Sequence, residues 1–369
     1  MQKLKINLRN NPDIKFIANF LKPYTKRAYL VGGSVRNLLL GLPLNDYDIE
    51  LYDLTCSQFD AIMQELGANG FGKNFFVYKY KNYDFALARY ENKVSKGHRG
   101  FKVSICQVEK DGAKRRDFTF NALMINIFNG EFLDFYGGYN DLKNKIIRHI
   151  DPKSFKEDSL RILRAIVFAA RFNFLIAKES LELMKDMDIS DLNLERINAE
   201  LYKFFKAENL ALGYKYIQDL NLEEKIFYHS FSDNKFEKLL RSAREFIKDE
   251  ALFLYLYLNY FKIDFNTFFK KTKLKKELLL KAKEEYFENK INNFELLKIA
   301  LKRPLNSWLG LWDKERIAKA KKLQVYDKKI IINIDIDKFS KGNLSGKDLG
   351  RLIQKEKEKE LLKYLQRIE

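Results

Sequence analysis

The sequence predicts an α+β protein, a head built on a mixed sheet followed by a long helical remainder. Three observations carry this. Up to about residue 141, glycine is frequent and short apolar runs alternate with turn signals, the pattern of short strands between helices. Beyond about residue 154, glycine is sparse, and segments rich in Leu, Lys, Glu, Phe and Tyr recur at helical period. Within the first region, a Gly-Gly-Ser turn opens a helix directly after one strand, and an Asp-x-Asp pair sits on the next.

The first elements follow from residues 28–51. Ala28 to Val31 is a short apolar strand ending at Gly32-Gly33-Ser34; Val35 to Leu40 then carries helix formers until Gly41 and Pro43 stop them. A helix start leaves backbone N-H groups unpartnered, and with the helix dipole they suit a phosphate that glycine allows to come close. Tyr47, Ile49 and Leu51 alternate with Asp46, Asp48 and Glu50, so a strand here is expected to send its apolar side chains to one face and its carboxylates to the other. Alternate strand residues lie roughly 7 Å apart. Asp46 and Asp48 at that spacing, beside a phosphate cradle, are the candidate ligands for divalent metal in nucleotidyl transfer. The competing reading is a glycine turn that only satisfies backbone geometry.

Further strand-like runs cover residues 75–80 and 83–90. Asp84 on the second is either a third carboxylate that positions or activates the attacking hydroxyl, or one half of a structural salt bridge. Asn129-Gly130 is expected to form a two-residue hairpin turn between residues 125–128 and 131–135. Before it lies Arg115-Arg116-Asp117-Phe118-Thr119-Phe120-Asn121. The arginines suit phosphate, and Asp117 and Asn121 suit a ribose hydroxyl; the alternative is an exposed basic turn capped by Asp117. Asp134, Gly137, Gly138 and Asp141 are expected to build a turn into the next helix.

Ser154 and Glu157 have capping-box spacing, which predicts a helix start there. Asp158, Arg161 and Arg164 then form a polar stripe opposite Leu160, Leu163, Ile166 and Val167. Such a stripe is either an Asp-Arg pair on a solvated face or a reader of bases. One carboxylate acceptor beside one guanidinium donor matches the amino group and ring nitrogen that cytosine and adenine share, and rejects uracil and guanine. Late in the chain, Arg303-Pro304 interrupts one helical segment, and a strand is expected over residues 330–339. Its Asp335-x-Asp337 lacks a glycine cradle and reads as a charged strand edge.

Composition narrows the partners. A net charge of +18 favours a polyanion, nucleic acid before an anionic membrane. No apolar stretch reaches the roughly 18 residues of a membrane span. Residues 251–261 come nearest, broken by Asn259. No apolar signal region is seen in residues 1–15, and two cysteines, Cys56 and Cys106, fit a reducing cytoplasm rather than a disulfide framework. Three histidines make a histidine-rich metal site an unsuitable reading.

Taken in order, these motifs resemble the class II tRNA nucleotidyltransferases, the CCA-adding enzymes, and their bacterial poly(A) polymerase relatives. Leu30 to Asn37 with Asp46-x-Asp48 is similar to the family's catalytic motif, and Arg115 to Ala122 to its ribose-selecting motif. Residues 134–148 resemble the motif linking head and neck, Glu157-Asp158-Ser159-Leu160-Arg161 the protein template that reads CTP and ATP, and residues 194–201 a last motif supporting the neck. The resemblance implies a polymerase-beta-like head over residues 1–142 and an all-helical neck, body and tail over 143–207, 208–310 and 311–369, with tRNA lying across the basic helices. It implies magnesium on Asp46 and Asp48, and Gly33 and Arg36 on the nucleotide, next to Gly32 and Ser34 of the same phosphate-cradling turn; Asp84 stays open between its two readings. Arg116, Asp117 and Asn121 would address phosphate and ribose, Asp158 and Arg161 the base, with Arg164 nearby. Two residues depart from the family pattern: Asn37 stands where Asp is usual and Val167 where many members have Arg. The expected activity is untemplated addition of C, C and A to tRNA from CTP and ATP, with pyrophosphate released. Partial CC or A adders and poly(A) polymerases share every motif quoted, although residues 91–103 resemble the flexible loop of full CCA adders. A non-catalytic tRNA-binding protein is opposed by the intact Asp46 and Asp48, and a small-molecule nucleotidyltransferase by the charge and the helical half. The run Lys270, Lys271, Lys273, Lys275 and Lys276 is either a tRNA contact or a solvated helix surface.

Overall fold

The computed structural model describes residues 6, 8, 11–70, 77–93, 101–230, 233–335 and 346–368, and the chain divides into two compact units, Met1–Ile197 and Asn198–Glu369. The first unit opens with α1 (Pro12–Leu21), capped by Asn11, whose side chain accepts from the Ile14 N-H, with proline at the first helical position. There follow β1 (Ala28–Val31), α2 (Gly32–Leu39), β2 (Tyr47–Leu51), α3 (Cys56–Glu65), β3 (Asn69–Gly70), β4 (Val77–Tyr80) and β5 (Tyr83–Leu87). Thr55 and Gln58 start α3 with a capping box. A hairpin of β6 (Arg89–Lys93) and β7 (Phe101–Ile105) leads to α4 (Glu109–Lys114), then β8 (Met124–Asn126) and β9 (Phe132–Leu133). Residues 94–100, the heart of the loop expected over 91–103, lie outside the described residues.

One mixed sheet takes β3-β4-β5-β2-β1-β8-β9 in that order. Only β2 and β5 run parallel, and their register sets Asp48 beside Asp84. Alternation explains the placement: Tyr47, Ile49 and Leu51 on β2 and Tyr83, Phe85 and Leu87 on β5 are buried. Glu50 lies on the opposite face of β2, as the alternation predicts; what the alternation does not give is its burial, to 1% exposure, because Tyr52, Ala88, Cys106 and Ala113 close over that side. The turn after β8 differs from the two-residue expectation. The strands pair Met124 with Leu133 and Ile125 with Phe132, leaving a longer connection held by Asn126, whose side chain accepts from the Phe128 and Asn129 N-H groups. Gly130 is needed there for its φ of +71°.

Asp134 accepts three N-H bonds, from Tyr136, Gly138 and Tyr139, and so caps α5 (Gly138–Lys143), as its turn-building reading requires. A two-residue parallel pair, β10 (Ile146–Ile147) and β11 (Leu175–Ile176), brackets α6 (Pro152–Phe155) and α7 (Leu160–Phe172). The helix start expected at Ser154 lies three residues earlier: Asp151 caps α6 by accepting the Ser154 N-H, and Pro152 takes the first helical position. Buried Phe118 and Phe120 both pack edge-on against Phe168 of α7, and buried Phe155 and Phe174 pack in turn on Phe118 and Phe120. The unit closes through α8 (Lys178–Lys185), and α9 (Leu194–Phe205) runs on into the second.

The regular elements described in the second unit are all helices, among them α10 (Leu210–Asp219), α11 (Glu223–Phe227), α12 (Asn234–Phe246), α13 (Leu252–Tyr260), α14 (Phe265–Thr272), α15 (Lys276–Ala282), α16 (Asn293–Ala300), α17 (Lys314–Lys322) and α18 (Gly346–Ile368). The apolar run nearest to a membrane span is its core helix. Every residue from Leu252 to Leu258 of α13 is buried, as a helix apolar all round demands. No helix among the described residues is long and apolar enough to cross a membrane. The strand expected from Ile330 is absent over its described part: residues 330–335 are irregular, the Ile330 N-H donates to the Ala300 carbonyl, and Ile331 is exposed. Asp337 lies outside the described residues.

Gly138 provides a direct check on how the sheet's connecting turn packs. A Cβ there would lie 2.0 Å from the Thr119 carbonyl oxygen. Gly138→Ala should cost about 1–3 kcal/mol in thermal or urea unfolding. Gly350→Ala on α18, with open space around it, should be neutral or stabilise by up to about 1 kcal/mol. Equal effects of the two would contradict this packing.

Candidate active site

Closeness at the Gly-Gly-Ser turn is forced by what surrounds it. Gly32 has φ +61°. A Cβ on it would lie 3.1 Å from Arg116 Nη1 and 3.5 Å from Asp48 Oδ2. One on Gly33 would meet Arg36 Nη2 at 3.4 Å and Asp48 Oδ2 at 3.6 Å. The start of α2 is therefore pressed against one carboxylate and two guanidiniums. Ser34, buried, joins α2 to β2: its hydroxyl accepts the Asp48 N-H at 2.8 Å and donates to the Asp46 carbonyl at 3.0 Å.

Three carboxylates lie along this edge of the sheet. Asp46 is exposed just before β2, Asp48 is half-buried, and Asp84 is its lateral neighbour. Burial pushes the Asp48 carboxyl up; Arg116 opposes this, while the charges of Asp84 and Asp46 add to it. Asp84 accepts from Lys79 Nζ at 3.1 Å, but both side chains are more than a third exposed, so the pair contributes little. Among the described residues no group of three or more His, Cys, Asp or Glu is arranged to hold a metal ion by itself. The oxygen donors of Asp46 and Asp48 still suit a hard cation that completes its shell with ligand phosphate oxygens, the usual way magnesium binds.

The Arg115 to Asn121 segment is not an exposed turn. Phe118 and Phe120 are fully buried, and Asp117 and Asn121 are 7% and 5% exposed. Asp117 Oδ1 accepts from the Phe118 N-H and Asn121 Nδ2, at 2.8 and 2.9 Å, and Oδ2 accepts from Arg164 Nε at 2.7 Å. Burial would raise the Asp117 carboxyl, but Arg164, Asn121 and Arg161 outweigh it and hold it below the ordinary range. Asn121 Oδ1 accepts from Arg36 Nη1 at 2.8 Å, so Arg36, Asn121, Asp117 and Arg164 form one buried chain of hydrogen bonds. Burial and nearby Arg171 push the Arg36 guanidinium down to about 10, with Asp117 acting the other way. Asn37 Oδ1 accepts from Arg36 Nη2 at 2.9 Å and Nε at 3.2 Å, so the neutral amide keeps an acceptor in place on Arg36. Val167 is simply buried.

The polar stripe of Asp158, Arg161 and Arg164 is arranged differently from its sequence reading. Asp158 lies before α7 and does not pair with Arg161; Arg196 Nη2 donates to both its oxygens, at 3.0 and 3.2 Å. Arg161 donates instead to two backbone carbonyls, Ser154 at 2.9 Å and Arg115 at 2.6 Å. The first unit thus brings Gly32, Gly33, Ser34, Arg36, Asp46, Asp48, Asp84, Arg116, Asp117, Asn121 and Arg164 into one connected cluster, and reaches Arg161 through the Arg115 carbonyl. Two partners escaped the sequence reading. Glu50 accepts from Arg115 Nη2 and Arg116 Nη2, at 2.7 and 2.8 Å, and from the Tyr52 hydroxyl at 2.6 Å. Its place on the face of Asp48 was visible, its burial was not. Arg196 lies 38 residues from Asp158, and no spacing rule connects them.

Known proteins resemble this chain in sequence and in fold. Residues 28–148 match the family described as the poly A polymerase head domain. A multifunctional CCA protein of Xylella fastidiosa (strain M23) is 42% identical over 187 residues, which cover 47% of this chain and 44% of that protein. One from Tolumonas auensis is 38% identical over 203 residues, covering 52% of this chain and 48% of that protein. The matched region therefore spans less than half the length of these relatives. Among solved structures, the Thermotoga maritima CCA-adding enzyme complexed with tRNA superposes with a TM-score of 0.67 at 21% identity, covering 99% of this chain and 97% of that one. The Bacillus stearothermophilus CCA-adding enzyme in complex with CTP gives 0.64 at 21% identity, over 87% and 85%. The likeness to these structures is one of fold: a polymerase-beta-like head followed by helices. Residues 28–148 thus match the poly A polymerase head domain, and the chain that carries them has the fold of the CCA-adding enzymes.

Proposed function

We propose that this protein is a CCA tRNA nucleotidyltransferase, adding C, C and A to the 3′ end of tRNA from CTP and ATP and releasing pyrophosphate. The observation that carries the reading is the half-buried Asp48 carboxylate, set against the Gly32-Gly33 turn on one side and in register with Asp84 on the other. In this reading residues 1–142 perform the chemistry, 143–207 read the base, and 208–310 and 311–369 bind tRNA. The basic, helical second half supports the last assignment.

The tRNA 3′ hydroxyl oxygen forms a bond to the α-phosphorus, the bond to the bridging β-oxygen breaks, and the hydroxyl proton passes to a nearby base. Asp46 and Asp48 would hold magnesium, which when bound offsets the charge gathering on the phosphate oxygens. Asp84, whose exposed bond to Lys79 is weak, is assigned to orient the hydroxyl and take its proton. Backbone at Gly32 and Gly33 admits the phosphates, and Arg36 and Arg116 add positive charge beside them. Asp117 and Asn121 are assigned to the ribose.

Asp158 and Arg161 are assigned to the base. Arg196 spends one nitrogen on Asp158, which leaves the carboxylate with acceptor capacity for an exocyclic amino group. Arg161 has five N-H donors and two carbonyl partners, so a donor remains for a ring nitrogen. The five lysines from Lys270 to Lys276 are exposed; Lys271 and Lys275 lie over the rings of Tyr228 and Tyr202. We assign them to the tRNA backbone.

The deciding experiment gives the protein tRNA ending at the discriminator base, in C, or in CC, with each NTP and magnesium. Growth should stop at CCA and vanish in Asp46→Ala. Long A tails would mark a poly(A) polymerase, growth stopping at CC or confined to A a partial adder, and no growth would refute the enzymatic reading. Asp158→Ala with Arg161→Ala should lose the preference for C and A while nucleotide binding survives; retained preference would put base reading elsewhere. Neutralising the five lysines should flatten the salt dependence of tRNA affinity by roughly 0.7–0.9 for each phosphate they pair with, and an unchanged slope would remove them from the interface.

A further inference from the structure

We infer that Glu50 is a positioning residue for the incoming nucleotide: its carboxylate aims Arg116 across the Gly32 turn at the phosphates. The inference rests on the nucleotidyl-transfer reading and concerns a side chain outside the Asp46-Asp48 pair.

Glu50 is built in from three sides. It sits on β2 two residues beyond Asp48 and is 1% exposed. Its Oε1 accepts from the Tyr52 hydroxyl at 2.6 Å, and its Oε2 receives Arg115 Nη2 at 2.7 Å and Arg116 Nη2 at 2.8 Å. Helix α4, which delivers both arginines, approaches through Gly112, where a Cβ would lie 2.4 Å from the Tyr52 hydroxyl and 3.1 Å from Glu50 Oε1. The far side of the Arg116 guanidinium is Nη1, which donates to the Asn121 carbonyl at 3.3 Å and lies 3.1 Å from where a Gly32 Cβ would be. Arg116 therefore bridges Glu50 to the glycine turn beside Asp48. Arg115 carries the same anchor onward, because its carbonyl accepts from Arg161 Nη2 at 2.6 Å.

Burial of a carboxylate between guanidiniums gains little over apolar packing of the same volume. What the charge supplies is direction. An arginine fork held at one end presents its other nitrogens at a fixed place, and a freely rotating cation does not. The face of β2 opposite the main core is thus spent on aiming cations at the site.

The test uses the full chain and steady-state kinetics with CTP, ATP and tRNA. Glu50→Gln keeps the shape and removes the charge. It should raise the KM for both nucleotides about tenfold, the scale of one charge-assisted hydrogen bond, with the KM for tRNA within about twofold. Glu50→Asp should restore part of the loss, and Glu50→Gln combined with Arg116→Ala should be no worse than Arg116→Ala alone. Nucleotide KM within about twofold in folded Glu50→Gln, or multiplying effects in the double variant, would overturn the inference. Should Glu50→Gln not fold, Arg116→Lys carries the test: it keeps the charge and loses the fork, and should raise nucleotide KM about as much, whereas an unchanged KM would overturn the inference. Wild-type extension of tRNA with unaffected variants would sink the role of Glu50 alone; a wild type that neither extends tRNA nor binds nucleotide would sink the functional reading and the inference together.

Discussion

Arginines cannot be buried without partners, and in the first unit that constraint organises everything near the sheet edge. Four of them, Arg36, Arg115, Arg116 and Arg164, converge there, and two buried acids answer them. Asp117 takes Arg164 directly and Arg36 through Asn121, while Glu50 takes Arg115 and Arg116. Removing Asp117 would strand Arg36 and Arg164, both of which lie over the Phe168 ring, and removing Glu50 would take the buried partner from Arg115 and Arg116. The cations left facing the glycine turn are thus fixed before any ligand arrives. Preorganised charge of this kind is what stabilises a reacting phosphate most effectively.

Much of the head was legible because its signals are local. Alternation along Tyr47, Ile49 and Leu51 gave the strand, two glycines gave the helix start, and the order of the motifs gave the fold. What escaped was set by tertiary neighbours. Glu50 shares the alternation of Asp46 and Asp48, yet only the closing of Tyr52 and Ala113 over it turns a solvated acid into a buried anchor. Asp158 and Arg161 have the spacing of a pair, but the chain reaches α7 through a turn that gives Asp158 to Arg196 and Arg161 to carbonyls. The Ser154 capping signal lost to Asp151-Pro152, where a proline at the first helical position reinforces the cap.

The helical unit shows the same division. Residues 252–258 carry apolar side chains in every direction, which could be read only as buried or as membrane-facing; the surrounding helices make them a core of stacked Phe and Tyr, with Phe253 and Tyr257 5.4 Å apart. Alternating residues from Ile330 looked like a strand, but with no described neighbour to pair with, the segment stays irregular over its described length. Alternation specifies a face; a strand also needs a partner edge.

The central claim is that Asp46 and Asp48 form half of a cation site, completed only by nucleotide. Manganese titrated into the protein and followed by electron paramagnetic resonance tests this most directly. The account predicts tight binding only when CTP is present, lost in Asp46→Ala with Asp48→Ala. Binding of equal strength without CTP, or undiminished in that double variant, would contradict it.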